Sequence, residues 1–515
     1  MLGQALSDSP LSAVPTTTAS ADVISLYAAT EDVETGFGEE PENTLYPGAL
    51  LSPLRVERSL LSDLLGGAVS VSYGEAELIN VDRSYDDLVH DFDVAGRSVV
   101  IRVGAAGGRV SEFIPLFDGT ASGWYATDER LIVQLRGWEY LLEVPFEART
   151  FGGSGGLDGG ADLEGKRLPV ALGWVFNATP VFLIAAELLF MVHGGRVSDI
   201  PAVYARGAAL AKGPDYPTAD ALRAATVPAN SFITCAAAGF FRTDYLNEAE
   251  KSAVTCDVVG AVVGGVVLGT TAQIIAHILM DRASVPSARV ADLTRAPWQF
   301  HVPVGYFTGP DDGSTCTDVL EELLRGCVGW GGFSRRGLFS LGSLRLPVAG
   351  PVVATYDETD IVSATALEPP AEVTPPPWRW KVGYDRNWTP QPSDLAGAVT
   401  DERRRWLAEA RRLAEVVNDT TRAFYKQPSD PAPVEGYFRD RADALRLGQE
   451  LEAMWQAPRG LYRIQLGTQA FARDLGEVVR IDYPRWRLRG GALAVIAALS
   501  EDAEDARSEL TVLVA

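Results

Sequence analysis

Three short stretches of the chain hold residue types that carry catalysis elsewhere. Gly152-Gly153-Ser154-Gly155-Gly156 has the Gly-x-Ser-x-Gly spacing that exposes a nucleophilic serine at a sharp turn, and His193, His277 and His301 follow it. Such a turn needs a strand before it and a helix after it, and Leu157-Asp158-Gly159-Gly160-Ala161 has no helical start. Gly160-Ala161-Asp162-Leu163-Glu164-Gly165-Lys166-Arg167 falls one residue short of a phosphate loop. Arg167 stands where Ser or Thr must ligate magnesium, and Pro169 interrupts the helix whose N-terminus would hold the phosphate. Asp82, Asp86, Asp87, His90, Asp91 and Asp93 have the donors for a divalent ion or for an acid/base pair that cuts a cell-wall polymer. They lack the glycine-anchored spacing of a calcium loop, which leaves a solvated acidic turn. No catalytic, cofactor-binding or metal-ligating residue is therefore assigned, and no cofactor is expected.

Side chains that could bind rather than react are also explained by burial. Trp378, Trp380, Tyr384 and Trp388 have rings that stack on sugars, but their spacing is also that of a buried strand face. Asn177-Ala-Thr, Asn387-Trp-Thr and Asn418-Asp-Thr match glycosylation acceptors without a secretory route to use them. Cys235, Cys256, Cys316 and Cys327 include no close pair for zinc and are too few for a disulfide framework. They read as buried thiols made in a reducing cytoplasm, with pairing left open only for Cys235 and Cys256.

The elements that must position these residues are mostly strands. Between Gly165 and Leu210, apolar runs break at Asn177, Pro180, Gly194 and Pro201. The pattern predicts strands at 170–176, 181–192 with an interruption, and 199–204, with a turn at His193-Gly194-Gly195. Alternation predicts strands at 68–73, 76–81, 98–103, 112–118, 131–135 and 140–144, many short strands of the kind that build a barrel or sandwich. Beyond Asn230 the expectation is strands at 231–236, 253–258 and 298–307, helices at 271–282 and 317–325, and a hairpin over 330–346. Thr270 or Thr271 would cap the first helix, and Ser314 or Thr315 the second. Strands are expected again at 351–356, 360–361, 378–384, 461–465, 478–483, 493–499 and 510–514. Residues 400–458 read as an extended helical tract, with Trp406, Leu407, Ala410, Leu413, Ala414 and Val417 on one stripe and a second helix at 441–455.

The fold class is mainly β with α/β parts. The expected organisation is an extended N-terminal arm (1–45), a first β-barrel (46–165), a β-rich connecting segment (166–230), a small mixed α/β domain (231–345) and a second β-barrel (346–515) with a helical insertion at 400–458.

Charge narrows the function classes. With 45 basic and 68 acidic side chains the formal charge is −23, the wrong sign for a protein that grips nucleic acid through its phosphates. An acidic wall suits DNA that must slide past without sticking. The first 45 residues contain no Lys or Arg, so they do not read as a secretory signal. Residues 175–192 contain Pro180 and Glu187, and 257–280 contain Gln273 and His277, so neither reads as a membrane span.

The order of several motifs carries a resemblance. Gly165-Lys166-x-x-Pro169, Val175-Phe176-Asn177-x-x-Pro180, Val192-His193-x-Gly195 and Ile200-Pro201-x-Val203-Tyr204 are preceded by Ser72-x-Gly74-x-x-x-Leu78-Ile79-Asn80, Gly96-Arg97 and Arg102-Val103-Gly104. They are followed by Cys256-Asp257-Val258-x-Gly260, His301-x-Pro303-Val304-Gly305-Tyr306, Gly332-Phe333-Ser334-Arg335-x-Gly337 with Leu346-Pro347, and 476–486 through Gly490-Gly491. This series resembles the tail-tip (baseplate) hub proteins of long-tailed, siphovirus-like bacteriophages and prophages, themselves related to the central hub of contractile tails and of type VI secretion spikes. None of these motifs is a catalytic signature. The resemblance implies a structural virion protein, assembled in the bacterial host cytoplasm, that forms a homotrimer closing the tail tube. It further implies docking to the distal tail protein, the tube or tape measure and fibre or spike proteins, contact with the host envelope, and a channel through which phage DNA passes without specific binding. Six barrels in a trimeric ring would match a six-fold tube. The alternative from another class is a tail-associated enzyme that degrades peptidoglycan, resting on the Asp82–Asp93 cluster.

Overall fold

Alternation decides the N-terminal sheet. In the computed structural model, which describes residues 2–3, 11–13, 23–60, 66–244, 254–347, 351–467, 471–503 and 507–515, Val99, Ile101 and Val103 are buried along the strand Ser98–Ala105. Their neighbours Val100 and Arg102 face outward or lie half-buried, as a sheet with one face on the core requires. Six strands pair antiparallel in the order Leu50–Ser52, Glu75–Ile79, Arg130–Arg136, Ile114–Ala126, Ser98–Ala105 and Leu2–Gly3. The pairing path is open at both ends, so the sheet curls over its core without closing. Leu50, Leu78, Ile101, Phe117 and Leu131 fill that core.

A second curled sheet lies at the C-terminus. Its path runs Ala354–Tyr356, Val478–Ile481, Ala492–Asp502, Arg507–Val514, Gly460–Leu466 and Ile361–Leu367. Two N-terminal strands, Arg55–Ser59 and Ser70–Ser72, join it: Arg55–Ser59 pairs with Ala492–Asp502 and with Ser70–Ser72. Gly67–Ala68 pairs in parallel with Trp330–Phe333. The strand expected at 68–73 thus belongs to the C-terminal sheet and the central hairpin, not to the N-terminal sheet. This excursion stitches three cores together.

Between the two curled sheets lie two central ones. Val170–Ala178 pairs with both Val254–Val263 and Gly305–Thr308, and Val197–Ala205 pairs along the far edge of Val254–Val263. The other sheet runs Val181–Ile184, Leu189–Met191, Phe240–Thr243, Ser231–Cys235 and Ala211–Asp215. Helix Thr271–His277 starts at a capping box of Thr270 with Gln273, as expected, and continues as a single wider turn over Ile278–Arg282. Helix Cys316–Gly326 has the equivalent box from Thr315 and Asp318. No helix among the described residues is long and apolar enough to cross a membrane.

Three expectations fail, two for local reasons and one through pairing with a distant strand. Residues 140–144 enter a 3-10 turn, Trp138–Leu142, and 298–307 splits into the turn Trp298–Phe300 and the strand Gly305–Thr308 because Pro297 and Pro303 interrupt pairing. The helical tract at 400–458 is the largest departure: helix Asp401–Ala408 gives way to strand Arg412–Val417, helix Asp419–Phe424 and strand Val434–Phe438, while helix Arg441–Trp455 forms at its expected bounds. Arg412–Val417 pairs residue for residue with Arg379–Tyr384, and Ala414 is fully buried beside Val382. Cross-strand pairing overrides a helix-like stripe there, helped by the β-branched Val416 and Val417.

This inserted unit leaves the C-terminal sheet between Ile361–Leu367 and Gly460–Leu466, which pair with each other from Ile361↔Leu466 to Leu367↔Leu461. It packs Trp380, Val382, Phe438, Leu447 and Trp455 into the same core as Ile274, Phe300, Val319 and Leu323. All four cysteines are buried free thiols, Cys235 and Cys256 included.

Candidate functional site

The residues flagged for chemistry stay apart. Ser154 Oγ donates to Asp158 Oδ2 at 2.6 Å, and the Gly152 amide donates to Oδ1 of the same carboxylate at 2.9 Å, so Asp158 organises the glycine loop. His193 Nδ1 accepts from the Ala171 amide at 3.2 Å, His277 pairs with Asp281 at 2.7 Å, and His301 meets the Ala296 carbonyl at 2.9 Å. Lys166 pairs with Asp311 at 3.1 Å and Arg167 Nη1 donates to the Ser314 carbonyl at 3.2 Å, which ties this turn to the 310–315 loop. In the acidic cluster, Asp86 accepts from Asn80 Nδ2 at 2.8 Å, Asp93 accepts from the Ala95 amide at 2.9 Å, and His90 meets Asp91 at 2.9 Å. Among the described residues no group of three or more His, Cys, Asp or Glu is placed to hold a metal ion. Trp380 is buried, Trp378 lies between the guanidiniums of Arg379 and Arg422 at 4.5 Å each, and Trp388 packs on Tyr306 and Tyr437.

The fold brings a different set together, at the joints between sheets. At the first joint Arg58, on the N-terminal excursion, pairs with Asp474 and donates from Nη2 to the Phe333 carbonyl at 3.0 Å. Arg335, at the tip of the hairpin Trp330–Phe333 and Phe339–Gly342, meets Glu501 Oε2 at 2.8 Å with both side chains almost wholly buried. Arg335 Nη2 also donates to the Arg473 carbonyl at 2.6 Å. Burial pushes the Glu501 carboxyl above its ordinary range, while the charge of Arg335 opposes that.

At the second joint the inserted unit docks on Val170–Ala178. Asn177, left-handed at φ 55°, ends the strand segment that faces the insertion. Its Nδ2 donates to Asn387 Oδ1 at 2.8 Å and to the Thr389 carbonyl at 2.7 Å, and its Oδ1 accepts from Thr255 Oγ1 at 2.6 Å. Asn387 Nδ2 donates onward to the carbonyls of Leu407 and Glu409. Alongside, Tyr204 donates to Asp257 Oδ2 at 2.7 Å, and Arg403 lies 4.3 Å over the Tyr204 ring and 4.2 Å over Trp406. Burial raises the Asp257 carboxyl. Two residues that resemble glycosylation acceptors are thus a buried amide ladder.

At the third joint Glu147 accepts from Arg149 Nε at 2.9 Å and Nη2 at 2.8 Å, and from Arg282 Nη1 at 3.2 Å. Burial works against its charge, but these hydrogen bonds and the two guanidiniums hold its carboxyl down at about 2. His193 lies nearby, and burial together with the charges of Arg282 and Arg149 lowers it to about 4. Within the central sheet itself the strands pack closely: a Cβ on Gly305 would stand 1.7 Å from the Trp174 carbonyl oxygen, and one on Gly260 2.4 Å from that of Ala171.

A hollow of about 500 Å³ opens where the N-terminal sheet meets the central hairpin, lined by Tyr73, Arg136, Glu139 and Phe333 among others. Burial raises the Glu139 carboxyl, and Tyr73 Oη lies 3.4 Å from it. Among the described residues neither a nucleophile with an adjacent base nor a pair of hydrogen-bonded carboxylates faces this hollow. The sequence does not show that these residues form joints because their decisive partners are remote, from 78 positions for Asn177 with Thr255 to 416 for Arg58 with Asp474. The available signal was a polar or charged residue inside an apolar motif, as at Asn177 and Arg335.

No protein-family model matches the chain, and no curated protein matches it. Among solved structures it is similar to a 43 kDa tail protein of prophage MuSo2 from Shewanella oneidensis, at 10% identity and a TM-score of 0.40, covering 92% of this chain and 96% of that one. It is also similar to a tail protein from Neisseria meningitidis MC58, at 8% identity and a TM-score of 0.39, covering 94% and 95%. A weaker likeness, to prophage tail protein gp18 from Listeria monocytogenes EGD-e, has 9% identity and a TM-score of 0.26 and covers 50% and 72%.

Proposed function

We propose that the chain is a structural protein of a bacteriophage tail, acting as a tail-tip hub that closes the tube, holds distal tail and fibre proteins and lines part of the DNA ejection path. The observation that carries this reading is where the hub-like motif residues lie. Asn177, His193 and Arg335 sit at joints between sheets, Tyr204 meets Arg403 of the inserted unit, and Asp257, Gly260 and Gly305 fix neighbouring strands of the central sheet against each other. A motif series spent on joints and on strand packing suits a rigid machine part.

Two curled sheets in one chain supply the pair of β units that a three-subunit ring needs to meet a six-fold tube. The net charge of −23 supports a conduit that does not hold its cargo. The arginines of the 403–412 stretch are engaged within the chain. Arg403 stacks on Tyr204 and Trp406, Arg404 donates to the carbonyls of Val399 and Ala396, Arg411 pairs with Glu435, and Arg412 donates to the Trp406 carbonyl. Electron microscopy of intact particles carrying a label fused to this chain tests the reading. Three copies around the axis at the end of the tail are expected, and label on the capsid or along the tube shaft overturns it.

A further inference from the structure

Phe37 is the most exposed large apolar side chain among the described residues, at 88%. It stands at the tip of a hairpin closed by Val33–Glu34 and Leu45–Tyr46, between Gly36 and Gly38. The loop is held rather than loose. Thr35, 1% exposed, donates from Oγ1 to the Pro41 carbonyl at 2.6 Å and accepts from the Thr44 amide at 2.8 Å. Glu39 accepts from the Gly36 amide at 2.7 Å, Glu42 accepts from the Gly38 amide at 3.1 Å, and Gly38 adopts φ 78°. A phenyl ring fixed in water by this many hydrogen bonds is a preorganised anchor, the kind of residue that dominates an interface. In sequence it is flanked by Glu31, Asp32, Glu34, Glu40 and Glu42, with no Lys or Arg before Arg55, and in space the charge of Arg109 acts on Glu39 at the base of the loop, leaving an excess of acidic groups. This charge turns away nucleic acid and anionic membranes and asks for an apolar cleft with a cationic rim.

The chain carries such a cleft in another unit. A hollow of about 290 Å³ lies between helix Arg441–Trp455 and the 343–346 segment, floored by Val328, Leu344, Leu447, Leu451 and Met454. That exceeds the roughly 150 Å³ that houses a benzene ring in an apolar cavity. Arg345 stands at its mouth, held by Ser343 Oγ at 3.0 Å and Gln299 Oε1 at 3.5 Å, and has no carboxylate partner among the described residues, while Glu450, which also lines the cleft, accepts from Trp298 Nε1 at 2.7 Å and is paired with Arg446 at 3.6 Å. The exposure of Phe37 shows that it does not fill its own chain's cleft.

We infer that Phe37 of one copy inserts into the Leu344–Leu447–Met454 cleft of a second copy, with the acidic loop meeting Arg345. The contact joins unlike surfaces, so it repeats head to tail and either closes a ring or runs on as a filament. It deepens the ring reading above by naming the contact that would close it.

Mass photometry and sedimentation of the full chain test the contact. The wild type is expected to self-associate, and Phe37→Asp and Leu344→Glu each to weaken association about a hundredfold or more, with circular dichroism and melting unchanged. An equimolar mixture of the two variants is expected to form dimers and stop there, since only one loop and one cleft remain intact between them. Association of Phe37→Asp equal to wild type, or a mixture that stays monomeric, overturns the inference while leaving a ring built on other contacts intact. Association lost in both variants but giving filaments or two-fold dimers in the wild type supports the contact and removes the three-fold ring. A wild type that is monomeric at every concentration overturns both.

Discussion

His193 shows how one side chain makes stability depend on pH. Its Nδ1 accepts from the Ala171 amide, so the neutral ring fits the site, while burial and the nearby Arg282 and Arg149 oppose a proton. Glu147 also faces the group and offsets part of that opposition, and His277, itself lowered by burial, adds to it. The folded-state value near 4 lies below the ordinary 6.5, so the unfolded chain binds more protons between those limits. Stability is therefore full above about pH 6.5 and falls by up to about 3 kcal/mol as pH drops toward 4. Glu147, held at about 2, loses its contribution only below its ordinary 4.5, so the two effects separate. Urea unfolding at pH 7, 6 and 5 is expected to show the earlier fall, and His193→Gln to flatten it. An equal slope in both proteins would refute this account.

At the scale of elements, the hairpin Trp330–Phe333 and Phe339–Gly342 is a clamp between the N-terminal excursion and the strand Ala492–Asp502. Its tip residue Arg335 and the strand's Glu501 form a buried ion pair, which stabilises little by itself but is costly to break from one side. Glu501→Ala is expected to cost about 3–5 kcal/mol because Arg335 is left charged and buried. The double change Arg335→Met with Glu501→Leu is expected to recover most of that, measured by chemical denaturation as a double-mutant cycle. Additive losses would mean that the two residues act independently. Elements of this kind differed in legibility. Helices with their own caps, at Thr270 and Thr315, were readable because the cap and the apolar face are local. Strand Arg412–Val417 was not, since its partner lies in Arg379–Tyr384 and its stripe of apolar residues also satisfies helical spacing.

For the whole molecule, the balance of charge outweighs any single patch. With 68 acidic against 45 basic side chains, the purified chain is expected to leave duplex DNA unshifted in an electrophoretic mobility assay even at low salt, where phosphate contacts are strongest. Retention with a steep salt dependence would identify a DNA-gripping element and end the reading as a passive conduit. At that scale buried polar groups join the sheets: Asn177 and Asn387 are hydrogen-bonded to each other and onward to the inserted unit, and Arg335 is paired with Glu501.

The sequence by itself determined the mainly β class, most strand positions, the two central helices and their caps, and the burial of the cysteines and of Trp380. All of these follow from periodicity, turn residues and hydropathy within a dozen positions. The departures of the serine, phosphate-loop and acidic stretches from the patterns that such chemistry requires are legible there too, because those contexts are local. Only the tertiary structure decided which sheet each strand joins. Arg55–Ser59 and Ser70–Ser72 lie early in the chain yet complete a sheet made of its last 160 or so residues, and residues 379–455 leave that sheet to complete the central core. Strand partners and buried ion pairs are chosen by packing between segments hundreds of residues apart, and no local pattern records that choice.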